Sequence, residues 1–316
     1  MSIYFYCSND SDGQIVAALR QALPETQIQI YPEPPAETVT DAVVWNPPAD
    51  FFDGLPPLRA VLSVAAGVDH LLEHPGLPSG VPLYRLQDAG MGEKMAEFVL
   101  FGVLHAQRQM TAFKLAQARG EWADHVECKH AREFNVGIMG LGAMGGTCAT
   151  RLLLNGYSVS AWTRRQRSVS ELPETLAEVS LFDGKEGLQP FLSQLDALVC
   201  LLPLTAATAG TLNAELFARL PDGCFLINAG RGQHQVQDDL LAALDSGKLS
   251  GALLDVTQPE PLPSEHALWR HPRVVLTPHV AAPTQIAESV AQIAANIARL
   301  DSGSPGLGAV DTARGY

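Results

Sequence analysis

The sequence predicts an α/β protein made of two doubly wound parallel-sheet domains of the Rossmann/flavodoxin-like class. Short β-rich apolar runs alternate with longer helix-forming stretches, and that alternation occurs twice along the chain. No self-similarity at periods of about 20–50 residues points to a solenoid instead. With 316 residues, 47% of them hydrophobic, the chain is long enough to bury two cores.

In the first hundred residues the apolar runs place strands at Ile3 to Tyr6, Ile28 to Ile30, Ala42 to Trp45, Ala60 to Val64 and Pro82 to Tyr84, with a helix from Asp12 to Leu23. Good helix formers then run from Met91 to Gly120. This reads as one helix longer than the roughly 8–20 residues usual in globular proteins. Such a connector fits a subunit interface, and a helix buried within its own chain is the alternative.

A second series begins at Val136. It has six candidate strands: Val136 to Met139, Ser158 to Trp162, Leu198 to Leu202, Phe225 to Asn228, Ala252 to Asp255 and Val274 to Thr277. After Pro283 a helix-like stretch, Thr284 to Leu300, precedes the tail SGSPGLGAVDTARGY, whose glycines and prolines allow disorder. The first series has no closing helix of its own. The expected domains are therefore 1–100 plus 284–316, and 101–283.

A formal charge of -13 disfavours nucleic acid and anionic membrane surfaces as partners, because both would repel the chain. The five cysteines are widely spaced and form no C-x-x-C pair, which fits reduced thiols rather than a disulfide framework or a zinc knuckle. The start MSIYFYCSND lacks a basic n-region, and no segment reaches the roughly 18 apolar residues of a membrane helix. A cytoplasmic location is expected.

The stretch NVGIMGLGAMGG places Gly140, Gly142 and Gly145 as G-x-G-x-x-G between an apolar strand and an amphipathic stretch that ends at Asn155-Gly156. That context makes it a dinucleotide loop. Gly140 permits the turn, Gly142 lets backbone approach a pyrophosphate, and Gly145 allows close helix–strand packing. Ala143 and Met144 open the helix whose amino end attracts the anion.

At the end of the next strand, about 20 residues on, an Asp or Glu would hold a free ribose 2′-hydroxyl. Thr163 stands there, 23 residues after Gly140, followed by Arg164, Arg165 and, two further on, Arg167. A hydroxyl and cations suit a 2′-phosphate, so NADP(H) is expected over NAD(H). The alternative is a solvated basic turn.

HLLEH, His70 to His74, resembles the metal-binding pattern H-x-x-E-H. Pro75-Gly76 follows at once, which leaves no helix long enough to present both histidines to one ion, so a surface turn and no metal are expected.

Three polar residues follow successive strands of the second series: Arg231 in INAGRG, Glu260 in LLDVTQPEPLP and His279 in VVLTPHVAA. Carboxyl ends of strands line the ligand crevice of a doubly wound sheet, so the three could converge there. Singly, each could equally be a surface or structural residue.

Together with GLGAMG, these segments in this order and spacing resemble the D-isomer-specific 2-hydroxyacid dehydrogenases, along essentially the whole chain. Within that family, WNPP at Trp45, the AAGVD loop at Ala65 to Asp69, the arginine turn and the terminal ARGY resemble the bacterial NADPH-dependent glyoxylate/hydroxypyruvate reductases.

The resemblance implies two α/β domains with the active-site cleft between them, and reduction of a small 2-keto acid. It assigns Arg231 to the substrate carboxylate and carbonyl, and His279 to proton donation. Glu260 would fix the His279 tautomer and favour its imidazolium. The Ala66 and Gly67 amides would bind the carboxylate, and Trp45 would limit substrate size, although a core role for Trp45 is equally open. Asp255 would touch the nicotinamide carboxamide, and Leu202-Pro203 would lie along the adenosine half. A homodimer is implied.

Thr163 departs from the family's usual acid. Gly230 stands where a bulkier residue is common, which leaves the loop geometry open. Rival readings are a larger or phosphorylated substrate on the same machinery, and a dinucleotide-sensing interaction protein. Few basic residues precede Met91, and the chain ends soon after its last helix, so neither rival is favoured.

Overall fold

The computed structural model describes residues 2–166 and 172–316, so Arg167 lies outside the described residues. The chain divides into two compact units: Met1–Met91 with Thr284–Tyr316, and Gly92–Pro283. Each is an α/β unit on a wholly parallel sheet.

The first unit runs β1 (Ser2–Cys7), α1 (Gln14–Ala22), β2 (Gln27–Ile30), β3 (Val39–Trp45), β4 (Ala60–Ser63), α2 (Asp69–Leu72) and β5 (Leu83–Tyr84). Its strand order, β2-β1-β3-β4-β5, is flavodoxin-like. Strands β1, β3 and β4 are buried residue after residue, as parallel strands covered on both faces must be.

The chain continues through α3 (Met91–Gln107), α4 (Met110–Arg119), β6 (Asn135–Met139), α5 (Ala143–Leu154), β7 (Ser158–Thr163), β8 (Ser180–Asp183), α6 (Gly184–Leu192), β9 (Ala197–Cys200), α7 (Ala214–Arg219), β10 (Cys224–Asn228), α8 (Gln237–Asp245), β11 (Leu249–Leu254) and β12 (Val274–Leu276). The second sheet reads β12-β11-β10-β9-β6-β7-β8, the dinucleotide-fold order with one strand added at the edge. Its strands alternate between two cores. Val136, Ile138 and Ile227 pack with Val99, Val103, Cys148 and Leu152 on one face. Met139, Leu198, Leu226 and Leu254 pack with Phe191, Phe217, Leu240 and Leu244 on the other.

Four expectations change. The second sheet has a seventh strand, β8, a half-exposed strand pairing with β7 that carries no continuous apolar run. The long helix expected over Met91 to Gly120 is two helices, broken where Gln109 takes a left-handed φ of 53°. Thr111, just past the break, is buried and lies 3.2 Å from the His105 ring, and the interruption falls at a point without glycine or proline.

The division into units falls at Met91/Gly92, ahead of residue 100, because α3 packs on the second sheet. A Cβ on Gly102 would sit 2.7 Å from Ile227 and 2.8 Å from Leu253. Lastly, the tail is built into the first unit. After α9 (Ile286–Asp301), which packs beside α1, Ala309 bridges Tyr84, Val310 N donates to Leu83 O, and Asn296 exchanges two hydrogen bonds with Leu307.

Among the described residues no helix is long and apolar enough to cross a membrane, and no group of three His, Cys, Asp or Glu side chains could hold a metal ion. HLLEH contributes only the four-residue α2. His74 Nε2 lies 3.0 Å from Pro48 O and its Nδ1 accepts the Gly76 N–H, while His70 packs edge-on against Trp45.

Candidate active site

The glycine loop sits where the second sheet reverses its order, between β6 and β9. Gly140 holds φ at 102°, and a Cβ there would meet Leu201 O at 2.8 Å. A Cβ on Gly145 would stand 2.0 Å from Gly140 O, so α5 touches the turn through bare backbone. Gly142 differs, because nothing lies within 4 Å of its Cβ position and that space is open to a ligand. Helix α5 starts at Ala143 and Met144 with no side-chain cap and no acid in its first turn. Its leading N–H groups and dipole therefore suit an anion. This cradle fits the pyrophosphate of a dinucleotide.

Thr163 ends β7, and its hydroxyl donates to Arg165 O at 2.7 Å. The hydroxyl thus shapes the turn, and the exposed Arg164 and Arg165 supply its charge. Leu202 is buried and Pro203 exposed in the turn after β9, where Pro203 O accepts the Thr208 hydroxyl at 2.6 Å.

Arg231, Glu260 and His279 follow β10, β11 and β12 at the carboxyl edge of the sheet. Two close approaches draw their loops together, with a bond inside the middle loop connecting them. Gly232 crosses the next loop so tightly that a Cβ would fall 1.8 Å from Thr257 O. The Thr257 N–H donates to Glu260 Oε1 at 3.0 Å, and Glu260 Oε2 holds His279 Nδ1 at 2.9 Å.

Burial alone would push the Glu260 carboxyl up. Hydrogen bonds from His279 and the Thr257 N–H, with the charges of His279 and Arg231, outweigh it and hold the group below the ordinary carboxylate range. Glu260 and His279 both stay partly open to solvent, with side chains 45% (His279) and 38% (Glu260) exposed.

Asp255 builds the turn that presents the histidine. It is buried, accepts the Thr277 hydroxyl at 2.6 Å and the Val280 and Ala281 N–H groups at 2.8 and 2.9 Å, and its carbonyl takes the His279 N–H at 2.8 Å. These bonds hold His279 at a left-handed φ of 57°, a conformation a β-carbon-bearing residue adopts only when its surroundings fix it.

An arginine, a carboxylate-braced histidine and a glycine cradle thus stand on one parallel sheet. The family model for the D-isomer specific 2-hydroxyacid dehydrogenase NAD binding domain matches residues 100–281. The chain belongs to that family. As a D-isomer specific 2-hydroxyacid dehydrogenase it is an oxidoreductase with an NAD(P)-binding domain.

Solved structures agree over the full length of this dehydrogenase. A D-isomer specific 2-hydroxyacid dehydrogenase from Xanthobacter autotrophicus Py2, in complex with NADPH and MES, matches at 38% identity and a TM-score of 0.91, covering 100% of this chain and 99% of its own. The NADPH-dependent glyoxylate/hydroxypyruvate reductase of Sinorhizobium meliloti, in complex with NADP and sulfate, matches with the same four values. A probable 2-hydroxyacid dehydrogenase from Rhizobium etli CFN 42, in complex with NADP, HEPES and L(+)-tartaric acid, matches at 32% identity and a TM-score of 0.87, with 100% and 99% covered.

The remaining expected residues of the dehydrogenase lie in its first unit. Trp45 ends β3, half-buried, with its ring centroid 4.2 Å from that of His70. Ala66 and Gly67 follow the neighbouring strand β4, both partly exposed, on a loop pinned by Leu86 N donating to Ala65 O at 3.0 Å.

Sequence reasoning missed the polar bracing around Arg231. Asn228 accepts the Gly230 N–H and donates to Arg231 O and to Gln235 Oε1, and the buried His234 accepts the Arg231 N–H. Polar side chains at the end of a fully buried strand and just after it, Asn228 and then His234 and Gln235 in GRGQHQ, were the available signal.

Proposed function

We propose that this dehydrogenase reduces small 2-keto acids with NADPH, converting glyoxylate to glycolate and hydroxypyruvate to D-glycerate. The observation that carries the reading is the convergence of the Arg231 loop with the Glu260–His279 pair at the carboxyl edge of the sheet that bears the glycine cradle. The cofactor, when bound, supplies the hydride to the keto carbon. Gly140, Gly142, Ala143, Met144 and Gly145 hold its pyrophosphate, and Leu202 and Pro203 flank it. Arg164 and Arg165 pair with the 2′-phosphate, a charge match consistent with the NADP carried by the relatives.

Arg231 presents its planar fork to the substrate carboxylate and carbonyl oxygen. Glu260 occupies His279 Nδ1, so Nε2 is the nitrogen left to deliver a proton to the carbonyl oxygen as it becomes a hydroxyl. Keto acid, hydride and proton together yield the 2-hydroxy acid, and the reverse reaction returns the proton to Nε2. From the first unit the reading takes the Ala66 and Gly67 amides as carboxylate donors and Trp45 as the side chain that restricts substrate size. Asp255 acts as the brace of the His279 turn. The exposed apolar side chains Phe101, Leu104, Met110 and Trp122 are read as the pairing surface of a homodimer.

The test is an initial-rate panel of glyoxylate, hydroxypyruvate, pyruvate and phenylpyruvate, each with NADPH and with NADH. The expected result is turnover of the two small substrates, with NADPH preferred. A chain that reduces none of the four with either cofactor ends the reductase reading, and a preference for NADH ends the assignment of Arg164 and Arg165.

A further inference from the structure

His234 is fully buried at the end of the 3₁₀ turn Gly232–His234, and both of its ring nitrogens are placed against backbone. Nδ1 accepts the Arg231 N–H at 3.1 Å, and Nε2 lies 3.3 Å from Pro203 O. A backbone N–H only donates and a carbonyl only accepts. The geometry therefore selects one neutral form, with Nδ1 bare and the hydrogen on Nε2. The His234 N–H returns a bond to Arg231 O at 3.2 Å, so the two residues clasp each other through ring and backbone. One imidazole thus joins the loop carrying Arg231 to the turn after β9 that carries Leu202 and Pro203.

Gly230 is the complement of that ring. A Cβ at 230 would stand 3.0 Å from His234 Nδ1, 3.1 Å from its Cε1 and 3.2 Å from Leu202 O. Gly230 is not among the glycines with a positive φ, so any cost of a larger residue there comes from crowding against these neighbours, which would have to shift by a few tenths of an ångström. The small residue in NAGRG is therefore the space taken by His234. The adjoining Asn228 fixes the same loop, taking the Gly230 N–H at 3.2 Å and donating to Arg231 O at 3.2 Å.

We propose that His234 is a positioning residue for the reaction. It sets the backbone of Arg231 and ties it to the cofactor-side turn at Pro203, and Gly230 is kept small to admit it. This rests on the reading of Arg231 as the group that binds the keto-acid carboxylate. A guanidinium displaced by about an ångström costs on the order of 100-fold in rate, while the pyrophosphate cradle, built from other residues, is left intact.

The experiment uses the full-length protein and five variants. His234→Leu keeps bulk and loses both polar contacts. His234→Asn keeps an acceptor for the Arg231 N–H, because its Oδ1 reaches about where Nδ1 did. Gly230→Ala crowds the ring, His234→Ala removes it, and the two substitutions together remove both sides of the contact. His234→Leu is expected to lower kcat/KM for glyoxylate by about 10–100-fold, largely through KM, with the NADPH Kd from fluorescence changed by less than about threefold. His234→Asn should recover most of the loss, and the double variant should fall well short of the product of the single effects.

Amide hydrogen exchange at Arg231 should quicken in His234→Leu and not in His234→Asn. Should His234→Leu fail to fold, His234→Asn and the Gly230 pair still decide the matter. Unchanged kcat/KM in His234→Leu, fully multiplicative losses in the double variant, or an Arg231 amide still protected in His234→Leu each overturn the proposal. Failure of the reductase reading is distinct, since it appears as a wild-type chain inactive toward every keto acid.

Discussion

Glu260 holds His279 Nδ1 at 2.9 Å on one carboxylate oxygen and the Thr257 N–H at 3.0 Å on the other, so the histidine's partner is itself anchored to backbone. A brace of this kind fixes the ring's tautomer, and Nε2 is then the nitrogen proposed to carry the proton. Glu260→Gln should keep the side-chain shape and lose the charge, lowering kcat about 10–100-fold with little change in NADPH binding. Steady-state kinetics beside fluorescence titration check this, and equal losses in both would mark Glu260 as a general fold residue.

The depressed carboxyl also has a pH signature. A group whose folded pKa lies below its unfolded value stabilises the fold above the unfolded pKa, about 4.3 for Glu, and loses that contribution as pH falls through the folded value. The difference in Tm between wild type and Glu260→Gln should therefore hold steady from about pH 6 to 5 and shrink below about pH 4. A difference that widens as the solution is acidified over that range contradicts the sign of the shift.

His279→Ala should remove turnover by about 100- to 10,000-fold while leaving the NADPH Kd nearly unchanged, because general acid catalysis is lost and the cradle is not touched. The His279 backbone is braced by Asp255 independently of the imidazole, through the His279 N–H to Asp255 O and the Val280 and Ala281 N–H groups to its carboxylate. The fold should therefore survive the substitution, and a circular dichroism melt is the control. Loss of cofactor binding together with turnover would point to a structural histidine.

The glycine loop separates fold from ligand within one motif. Alanine at 145 would drive a Cβ to 2.0 Å from Gly140 O, whereas alanine at 142 meets nothing within 4 Å. Gly145→Ala should thus lower Tm and weaken NADPH through a distorted turn. Gly142→Ala should keep its Tm within a degree or so and weaken NADPH binding by about tenfold or more, since the added methyl intrudes only where the pyrophosphate belongs. Normal NADPH affinity in Gly142→Ala would remove the cradle assignment.

Why some of this was legible and some was not comes down to local chemistry. Gly140, Gly142 and Gly145 could be read because a strand–turn–helix context needs glycine for three separate reasons, and Arg231, Glu260 and His279 because each follows a fully or partly buried strand. Strand β8 escaped because SLFD is short, half-exposed and holds only two apolar residues between Ser180 and Asp183. The break at Gln109 escaped because a left-handed glutamine leaves no mark in sequence, and the contact beside it, Thr111 with His105, joins residues on either side of the break. His234 escaped because a buried neutral histidine differs from a surface one only in its partners, and those come from loops after other strands. Thr163 was placed correctly, yet its hydroxyl turned inward to Arg165 O, a rotamer outcome that pattern cannot supply.

Arg164 and Arg165 follow Thr163 in an exposed turn, the position at which an acid would select NAD. A charge-assisted hydrogen bond to phosphate is worth about 1.5–3 kcal/mol, so Arg164→Ala and Arg165→Ala should each raise the KM for NADPH about 10- to 100-fold. The KM for NADH, which lacks the phosphate, should move by less than about threefold. Parallel changes for both cofactors would show that the arginines support the turn and do not read the 2′-phosphate.

Four large apolar side chains crowd the surface from α3 to the segment after α4: Phe101 at 53% exposed, Leu104 at 44%, Met110 at 42% and Trp122 at 90%. Scattered single apolar residues are ordinary on a protein surface, but four large ones exposed within 22 residues of chain mark this stretch as a candidate pairing surface. A second copy covering this face would bury Trp122 in an isologous contact. Light scattering coupled to gel filtration should then return twice the 33.8 kDa chain mass, and Trp122→Asp should shift the species toward monomer with the Tm of each unit largely kept. A wild-type monomer at tens of micromolar would remove this face as a pairing surface. A Trp122→Asp dimer as tight as wild type would move the interface away from it.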